Sequence, residues 1–462
     1  MNELRFPRPL ETILEAVGHT PLVRLRRVSA GLRTPVYAKA EFFNPGGSVK
    51  DRIGLAMIEA AEREGRLRPG GTIVEATSGN TGVALAMAAA IKGYRCIFTI
   101  PDKMSQEKVR LLKAFGAEVI VTPTAVPPGH PDHYLEVAKR LVRETPNAIL
   151  ADQFYNLANP EAHYRTTGPE VWAQTEGRVT HFIAGAGTGG TITGVGRYLK
   201  ERNPRVRVIA ADPIGSILHQ TARGCPVPEA VPYKVEGIGQ DKIPGTLDLD
   251  VVDEWRAVDD RSAFAMARRL TREEGLFVGG SSGLLAHVAL EVAREIDDPE
   301  ACVVFVLCDT GERYLSKLYN DEWLRENRLL DPSQTTAGDL LRTKTQGPTH
   351  LVTVTPQTPV REALALITRH DISQLPVFDG DRPVGQVSEG GLSTRVLADP
   401  RVLDDAVADH LEPPPPVIEP GTPFGALAQL LAQGHAAVLV RDDGRWGILT
   451  RFDLLQVVAS GA

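Results

Sequence analysis

Cysteine is scarce in this chain, with four residues among 462. Cys96, Cys225, Cys302 and Cys308 show neither the close pairs of a zinc site nor a C-x-x-C redox spacing. A disulfide framework is therefore not expected, and the composition favours a reducing cytosol. Because Cys302 and Cys308 flank the apolar run 303–307, we expect them to be thiols at the ends of a buried strand.

Long apolar stretches are also missing. No run of about twenty apolar residues occurs anywhere, and the N-terminus shows no apolar core of signal-peptide length. We therefore expect a cytoplasmic protein that does not contact membranes.

A strong excess of one charge is absent too, because the formal net charge is −7 with both signs spread along the chain. This balance argues against a nucleic-acid partner.

The chain is long, and its pattern alternates. A length of 462 residues predicts two or three domains. Through about residue 325, apolar β-rich runs alternate with helical stretches, which is typical of parallel α/β sheets. The predicted strands are 36–42, 72–76, 96–101, 118–122, 180–184, 206–211 and 302–308, and the predicted helices include 54–64, 105–115 and 262–274.

Near residue 330 the pattern changes to an internal repeat. Residues 331–336 are typical of a linker. Thr358-Pro359 followed by 385–388 returns as Thr422-Pro423 followed by 447–450, an offset of about sixty residues. One unit alone would leave an apolar sheet face open, so the pair should pack as one domain. The predicted boundaries are 1–328 for the first domain, 329–337 for the linker, 338–400 for the first repeat and 401–462 for the second.

Lys50 is the first candidate for chemistry. It lies in the segment N-P-G-G-S-V-K-D-R, shortly after the predicted strand 36–42. A lysine is a strong nucleophile only when it is neutral, and a carbonyl cofactor held beside it would form a Schiff base. Taken alone, Lys50 is more simply explained as a solvated surface lysine. Two glycine-rich loops downstream favour the chemical interpretation.

The first of these loops is 77–82, which follows the predicted strand 72–76 and precedes the alanine-rich stretch 83–91. The unpaired N–H groups at such a helix start, with the hydroxyls of Thr77, Ser78 and Thr81, form a site suited to a carboxylate. A plain helix cap would explain one serine or asparagine, but not this cluster of hydroxyl, amide and glycine groups.

The second loop is 185–191, after the predicted strand 180–184. Its glycines allow backbone amides to converge on phosphate oxygens. Dinucleotide binding is the competing interpretation, and Asp212 is available near the spacing that it requires. Lys50 and the turn 279–283 argue against that competitor. A neutral serine such as Ser281 can make one hydrogen bond to a pyridine nitrogen without fixing a charge there.

Taken in order, G-G-S-V-K-D-R, T-S-G-N-T-G, G-A-G-T-G-G-T-I-T-G and G-G-S-S-G resemble the fold type II enzymes that use pyridoxal 5′-phosphate. The resemblance covers about the first 325 residues and implies a tryptophan synthase β-like α/β fold with parallel twisted sheets. V-E-G-I-G-Q-D at 235–241 and the Gly-Gly pair before Ser281 are more similar to cystathionine β-synthases than to cysteine synthases. The repeated tail resembles a tandem CBS module pair, an α+β domain.

The resemblance implies a role for each matching residue. Lys50 would bind the cofactor as a Schiff base and move the Cα proton of the substrate. Asn80 would meet the ring oxygen and Ser281 the pyridine nitrogen. Phe154 stands where the related synthases carry tyrosine, which puts any role of that hydroxyl in doubt. The phosphate ligands would be Gly187, Thr188, Gly189, Gly190 and Thr191, and the substrate ligands would be Thr77, Ser78, Gly79, Thr81, Gln153 and Gly237.

The implied reaction is a β-replacement. L-Serine would lose its hydroxyl to leave a bound aminoacrylate, to which L-homocysteine adds to give L-cystathionine, with hydrogen sulfide from side reactions. Two alternatives stay open: a cysteine synthase acting on O-acetylserine with a regulatory tail, and a nucleotide-sensing interaction protein whose catalytic fold is silent.

Haem is not expected, because His19 is the only early histidine and no cysteine precedes Cys96. The resemblance implies a homodimer or higher homo-oligomer.

The second repeat ends in 447–453, which matches the pattern G-x-x-[ST]-x-x-D by which such modules hold an adenosine ribose. The resemblance implies that Thr450 and Asp453 bind an adenosyl effector, with S-adenosylmethionine as the expected one. The first repeat has Gly391 where the aspartate would be, so one adenosyl site is predicted rather than two. The alternative is that Asp453 simply caps a helix.

Overall fold

The computed structural model describes residues 8–77, 79–102, 106–123, 125–127, 129–222, 224, 230–330, 335–344, 351–442 and 444–459. The chain forms two compact units, Met1–Asn320 and Asp321–Ala462. Helices of the first unit are α1 Lys50–Arg63, α2 Asn80–Lys92, α3 Gln106–Ala114, α4 Tyr134–Glu144, α5 Ala158–Ala162, α6 Gly168–Gln174, α7 Gly190–Arg202, α8 Leu218–Ala222, α9 Asp260–Glu274 and α10 Gly280–Ile296. Its strands are β1 Leu22–Arg24, β2 Val36–Ala40, β3 Thr72–Glu75, β4 Arg95–Pro101, β5 Glu118–Thr122, β6 Ala148–Leu150, β7 His181–Gly185, β8 Arg207–Pro213, β9 Glu254–Val258 and β10 Val303–Leu307.

Two sheets organise the first unit. Over the described residues, the larger sheet has the strand order β1-β2-β10-β7-β8-β9 and the smaller has the order β5-β4-β3-β6. The pairs in both sheets are parallel apart from β1 with β2, which is antiparallel. Strand β10 is buried along its whole length because it lies between two parallel neighbours, as its unbroken apolar sequence VVFVL requires. The prediction of parallel α/β sheets is confirmed.

The predicted strands are confirmed to within two residues at each end, and 118–122 coincides with β5. The short strands β1, β6 and β9 were not predicted. Strand β9 has the sequence EWRAV, whose charged residues hide the apolar pattern. The helix predicted at 54–64 is wrong at its start, because α1 begins at Lys50 and Gly54 lies within it. Lys50 therefore belongs to the first turn of a helix rather than to the loop before it.

The second unit has the helices α11 Asp321–Glu326, α12 Ala337–Thr343, α13 Val360–His370, α14 Glu389–Ala398, α15 Phe424–Ala432 and α16 Arg451–Ala459. Its strands are β11 Gln374–Asp379, β12 Arg382–Ser388, β13 Val417–Ile418, β14 Ala437–Asp442 and β15 Arg445–Thr450. Pro359 precedes α13 and Pro423 precedes α15, and an antiparallel strand pair and a further helix follow in each case. The internal repeat is thus confirmed.

Helix α12 begins at the end of the predicted linker and lies mostly within the segment predicted as the first repeat, but it packs with the second. Ala337 and Leu340 share a buried apolar cluster with Leu427 and Leu431 of α15. Thr336 caps α12 with a reciprocal hydrogen-bond pair, which fixes where the helix starts. The second repeat therefore completes its core with a helix from the start of the segment predicted as the first repeat.

Cys96 and Cys302 are buried free thiols and Cys308 is partly exposed, while Cys225 lies outside the described residues. The expected absence of disulfides agrees with the three thiols that the structure describes. No helix in the described ranges combines the length and apolar character needed to cross a membrane.

Candidate active site

The candidate site lies where parallel strands end. The segment containing Lys50 follows β2, the loop 77–82 follows β3, the loop 185–191 follows β7, and Cys308 directly follows β10. Because the carboxyl ends of parallel strands meet at one edge of a sheet, this arrangement brings segments that are distant in sequence together.

Lys50 opens α1 and is held against the end of β10. The backbone N–H of Val49 donates to the carbonyl of Cys308 at 2.8 Å, and that of Thr310 donates to Gly47 at 3.2 Å. Gly47 has a φ of +78°, a left-handed conformation that suits glycine at this turn. Burial lowers the pKa of Lys50, and the nearby Cys308 and Asp309 partly oppose that shift. The amine is therefore easier to deprotonate than a surface lysine.

The loop before α2 brings two predicted substrate ligands into contact. Thr81 Oγ1 donates to Gln153 Oε1 at 2.6 Å, although the two residues are 72 positions apart. The Gly79 N–H donates to Thr77 Oγ1 at 3.4 Å. Among the described residues other than its chain neighbours, none lies within 4 Å of where a Cβ on Gly79 would be, so none of them fills the space beside the helix start. Ser78 lies outside the described residues.

Glu75 supports this region and was not predicted. It ends β3, and its two carboxylate oxygens accept from the backbone N–H groups of Asp152 at 2.7 Å and Gln153 at 3.4 Å. Burial raises the pKa of Glu75 to about 7, and the two donated hydrogen bonds oppose that rise. Asp152 takes a left-handed φ of +53°. Glu75 thus fixes the turn from which Gln153 reaches Thr81.

The loop 185–191 forms a tightly backed cradle at the start of α7. Gly189 has a φ of +82°, and a Cβ on Gly187 would lie 2.6 Å from the carbonyl oxygen of Gly237. Thr188 Oγ1 accepts from Asn159 Nδ2 at 3.0 Å. A Cβ on Gly190 would lie 1.9 Å from Asn159 Oδ1, so a larger residue does not fit there. Bare backbone amides at a helix start are suited to a phosphate.

The segment 235–241 packs against this cradle. Gly239 N–H donates to the carbonyl of Ala186 at 2.9 Å, and Gly237 takes a φ of +82°. The Glu236 carboxylate binds the ammonium groups of Lys108 and Lys317. The predicted substrate ligand Gly237 therefore lies beside the predicted phosphate ligand Gly187.

His163 backs the cradle from a π-helical turn between α5 and α6. Its Nε2 hydrogen-bonds with Thr191 Oγ1 at 3.1 Å and its Nδ1 with Thr167 Oγ1 at 2.8 Å. Burial lowers the pKa of His163 to about 3, and the positive charge of Arg52 acts in the same direction. His163 is therefore a neutral hydrogen-bonding partner of the cradle at ordinary pH.

This pKa predicts a specific acid sensitivity. The unfolded chain binds a proton on His163 near pH 6.5, and the folded chain does not until about pH 3. Folding stability from this group is therefore complete above pH 6.5 and is lost as the pH falls towards 3, by about 3 to 5 kcal/mol in total. Replacing His163 with Gln should flatten the fall in unfolding free energy between pH 6.5 and pH 4, measured by urea denaturation. The same change at the exposed His130 is the control, and an equal slope in both variants would contradict the prediction.

The turn before α10 and the end of β10 complete the site. Ser281 is buried in the first turn of α10. The neighbouring Ser282 Oγ accepts from the Cys308 N–H at 2.8 Å. Burial raises the pKa of the Cys308 thiol to about 12, with Asp309 adding to the shift and Lys50 and Ser281 opposing it. Cys308 is therefore a neutral thiol between Lys50 and Ser281.

Asp309 and Tyr314 were missed by the sequence analysis. Asp309 Oδ2 accepts from Asn80 Nδ2 at 2.7 Å and from the Tyr314 hydroxyl at 2.6 Å. Asn80 begins α2 on the smaller sheet, and Asp309 follows β10 of the larger sheet. The contact joins the two sheets at the site. The available signal was a polar residue directly after a buried strand.

The structure thus links most predicted site residues in the first unit. Direct contacts join Asn80 to the Lys50 region through Asp309, Thr81 to Gln153, and the loop 185–191 to the segment at Gly237. The residues fit pyridoxal 5′-phosphate on three grounds: a half-buried lysine whose amine has a lowered pKa, a cradle that a Cβ would fill, and a buried neutral serine.

Thr450 and Asp453 lie in the second unit. Asp453 Oδ2 accepts from Thr450 N–H at 2.7 Å and Thr450 Oγ1 at 2.9 Å, so it caps α16. Lys344 Nζ also donates to Asp453 Oδ2 at 3.1 Å. In the first repeat, Ser388 Oγ donates to Glu412 Oε1 at 2.6 Å. A Cβ on Gly391 would lie 2.5 Å from that oxygen. Glu412 therefore occupies the space that an aspartate at 391 would take.

Comparisons with known proteins agree with this arrangement. A family model described as pyridoxal-phosphate dependent enzyme matches residues 13–309, and a CBS domain model matches 345–397 and 407–460. The chain is 42% identical to the cystathionine beta-synthase of Dictyostelium discoideum, over 96% of this chain and 92% of the relative. It is 41% identical to that of Oryctolagus cuniculus, over 99% of this chain and 86% of the relative.

Two solved structures are similar to the first unit in fold and sequence. One is an O-ureido-L-serine synthase, with a TM-score of 0.62 and 40% identity, covering 69% of this chain and 99% of that one. The other is a hydrogen sulfide-producing enzyme from Fusobacterium nucleatum, with a TM-score of 0.62 and 36% identity, covering 66% of this chain and 98% of that one.

Proposed function

The chain belongs to the cystathionine β-synthase family of pyridoxal-phosphate dependent enzymes, and on that premise we propose that it condenses L-serine with L-homocysteine to give L-cystathionine and water. The observation that carries the proposal is the half-buried Lys50, whose amine has a lowered pKa, beside the network of Asn80 and Asp309. Hydrogen sulfide from cysteine is proposed as a side activity.

When it is bound, pyridoxal 5′-phosphate supplies an electron sink for the substrate's Cα–H bond. We assign Gly187, Thr188, Gly189, Gly190 and Thr191 to the phosphate, Asn80 to the ring oxygen and Ser281 to the ring nitrogen. The amides at the start of α7 favour an anion. A buried neutral serine leaves the ring nitrogen without a fixed positive charge.

The substrate carboxylate is assigned to the start of α2. Thr81 and Gln153 form one side of this subsite and are already hydrogen-bonded to each other. Because Glu75 holds Gln153 through backbone contacts, the subsite is preorganised rather than assembled on binding. The full proposed set is Thr77, Ser78, Gly79, Thr81, Gln153 and Gly237.

Lys50 carries the proton transfers in this proposal. Its Nζ takes the Cα proton of serine and protonates the departing hydroxide, which leaves as water. The thiolate of homocysteine then forms the new bond to Cβ, and the proton from its thiol returns to Cα. A lowered lysine pKa suits both steps, since the group must give and accept a proton near neutral pH.

The test is steady-state turnover with a panel of substrates. Purified enzyme supplied with serine and homocysteine should form cystathionine with a kcat/KM at least about ten-fold above that for cysteine formation from O-acetylserine and sulfide, a difference of about 1.4 kcal/mol in transition-state stabilisation. The reverse order would support a cysteine synthase with a regulatory tail. The same assay with cysteine and homocysteine measures release of hydrogen sulfide.

We further propose that the second repeat binds an adenosyl ligand, with S-adenosylmethionine as the expected effector. Thr450 and Asp453 are the assigned ligands, and the ribose must displace Lys344 from the Asp453 carboxylate. Calorimetric titration should show one site per chain that Asp453→Ala removes. An unchanged titration in that variant would reject the assignment. Regulation requires in addition that the ligand alters turnover from this distinct site.

Four further proposals concern the cellular location, haem, the domain boundaries and the oligomeric state. The scarcity of cysteine supports a cytoplasmic location. Function without haem is proposed as well, and a purified, active protein without a Soret band would support it. The boundaries 1–328, 329–337, 338–400 and 401–462 stay a proposal from the sequence, whereas the compact units divide between Asn320 and Asp321 and α12 packs with the second repeat. A homodimer or higher homo-oligomer is proposed from the family resemblance, and the exposed apolar side chains of Tyr155 and Leu157 are surface that a second copy could cover.

A further inference from the structure

Asp309 is a buried carboxylate that the proposed proton transfers do not use. Its side chain is 2% exposed, and over the described residues its Oδ1 has no hydrogen-bond partner. A Cβ on Gly279 would lie 2.3 Å from that oxygen, so the absence of a side chain at 279 makes the approach possible. A buried charge with an unpaired oxygen is costly, and an apolar residue of similar volume often stabilises a protein more. Stability alone therefore does not explain an aspartate here.

The contacts of Asp309 instead point to Asn80. The two ends of an asparagine amide have nearly the same shape, so packing alone does not decide which end faces a given neighbour. Burial raises the pKa of Asp309, but its Oδ2 accepts from the Tyr314 hydroxyl and so has no proton to donate. Oδ2 therefore requires the Asn80 nitrogen to face it, and the Asn80 Nδ2 contact at 2.7 Å has this arrangement. The second N–H of the same group then remains for another acceptor.

Asp309 is itself held in place through both its side chain and its backbone. The Tyr314 hydroxyl donates to Asp309 Oδ2 at 2.6 Å. The Asp309 carbonyl accepts from the Gly279 N–H at 3.2 Å, which ties it to the turn that carries Ser281. Ser48, two residues before Lys50, forms an isolated β-bridge with Asp309. Asp309 therefore connects the three segments that carry Lys50, Asn80 and Ser281.

We propose that Asp309 is a positioning residue that orients the Asn80 amide as a hydrogen-bond donor toward the cofactor's ring oxygen, with Tyr314 holding the carboxylate in place. This inference rests on the proposed function for the placement of the cofactor. Under this proposal, Asp309 determines whether the Asn80 side chain presents its N–H group or its carbonyl oxygen to the ring oxygen. A donor stabilises negative charge on the ring oxygen, whereas an amide oxygen would repel it.

Two substitutions of Asp309 distinguish the orientation of the Asn80 amide from the effect of the negative charge on Asp309. Asp309→Asn keeps an oxygen that accepts from Asn80 and Tyr314, and its nitrogen falls where Oδ1 now lies. Asp309→Leu keeps the volume but removes the acceptor. We expect Asp309→Leu to shift the visible absorption maximum of the bound cofactor and to lower kcat/KM by about 10- to 100-fold, the loss expected for one charge-assisted hydrogen bond. Asp309→Asn should stay within about three-fold of the wild-type enzyme.

A double-mutant cycle tests whether Asp309 acts through Asn80. In the Asn80→Ala background, Asp309→Leu should change the absorption maximum no further and lower kcat/KM by less than about three-fold. Additive effects would overturn the proposal. Tyr314→Phe removes one donor to the carboxylate and should move the spectrum in the same direction by a smaller amount. If Asp309→Leu folds poorly, Tyr314→Phe still tests the proposal.

The matched control is Asp212→Leu. Asp212 is also fully buried, and its Oδ1 also has no partner over the described residues, but its other oxygen accepts from the backbone of His219. Its loss should leave the absorption maximum unchanged, and an equal shift in both leucine variants would overturn the proposal. If the wild-type protein binds cofactor but forms no cystathionine, the proposed function fails while the spectral cycle still decides the role of Asp309. A wild-type protein without cofactor absorption would reject both.

Discussion

Replacing Lys50 with alanine should abolish cystathionine formation, lowering kcat by at least about 10⁴-fold, the upper range for loss of a general acid–base group. The same amine is the attachment point proposed for the cofactor, so the variant loses a covalent link as well as a proton carrier. The visible absorption of the bound cofactor should change in parallel with the loss of turnover. Both are measured on purified protein incubated with excess pyridoxal 5′-phosphate.

Two comparisons make this result specific. Lys92→Ala removes a lysine that pairs with Glu62 on the surface of the same unit, and it should leave spectrum and turnover unchanged. Borohydride reduction followed by peptide mass spectrometry should place the pyridoxyl group on Lys50. An adduct on another lysine would refute the assignment of Lys50. An unchanged spectrum in Lys50→Ala would favour the interaction protein with a silent catalytic fold.

The parts of the site that the sequence predicts are those with local physical causes. Glycine-rich turns between an apolar run and a helix identify the loops 77–82 and 185–191, because positive φ angles and bare amides depend on neighbouring residues. Gly54 shows the limit of this reasoning. It suggests a helix start, but it lies inside α1, where a Cβ would be 2.6 Å from Ala84 Cβ on α2. A glycine required for helix packing has the same sequence signal as one required for a turn.

The parts that the sequence does not predict depend on contacts between distant segments. Asn80 and Asp309 are 229 positions apart, and Glu75 reaches Gln153 across 78 positions. Each is an ordinary acidic or amide residue in its local window. Only the meeting of strand ends gives them their partners, and that depends on the strand order of the folded chain.

The repeated tail shows the same limit at Gly391. Comparing the repeats position by position leaves the first one without an acidic group. In the structure, the Glu412 carboxylate lies against Gly391 and accepts from Ser388. The prediction of one adenosyl site stays a prediction. Its physical basis changes, because the carboxylate of Glu412, from the segment predicted as the second repeat, fills that space, and a ribose there must compete with the Ser388 contact.

Replacing Gly190 with alanine should remove the cofactor from the protein while leaving Lys50 untouched. The added Cβ would lie 1.9 Å from Asn159 Oδ1, so Asn159 must move and release its hydrogen bond to Thr188. Thr188 and the α7 amides would then no longer converge on one phosphate. Overpacking of this kind typically costs about 1 to 3 kcal/mol, so we expect the Kd for pyridoxal 5′-phosphate to rise by about 10- to 100-fold. Fluorescence titration of the apoenzyme measures it.

Gly196→Ala is the matched control for this change. Gly196 also lies on α7, and its Cβ would be 2.4 Å from Val251 Cγ1. Both variants therefore strain the packing of α7, but only Gly190 belongs to the loop that cradles the phosphate. Gly196→Ala should lose stability to urea and keep its cofactor affinity within about three-fold, well under 1.4 kcal/mol. Equal losses of affinity in both would show that α7 packing, rather than the shape of the cradle, controls cofactor binding.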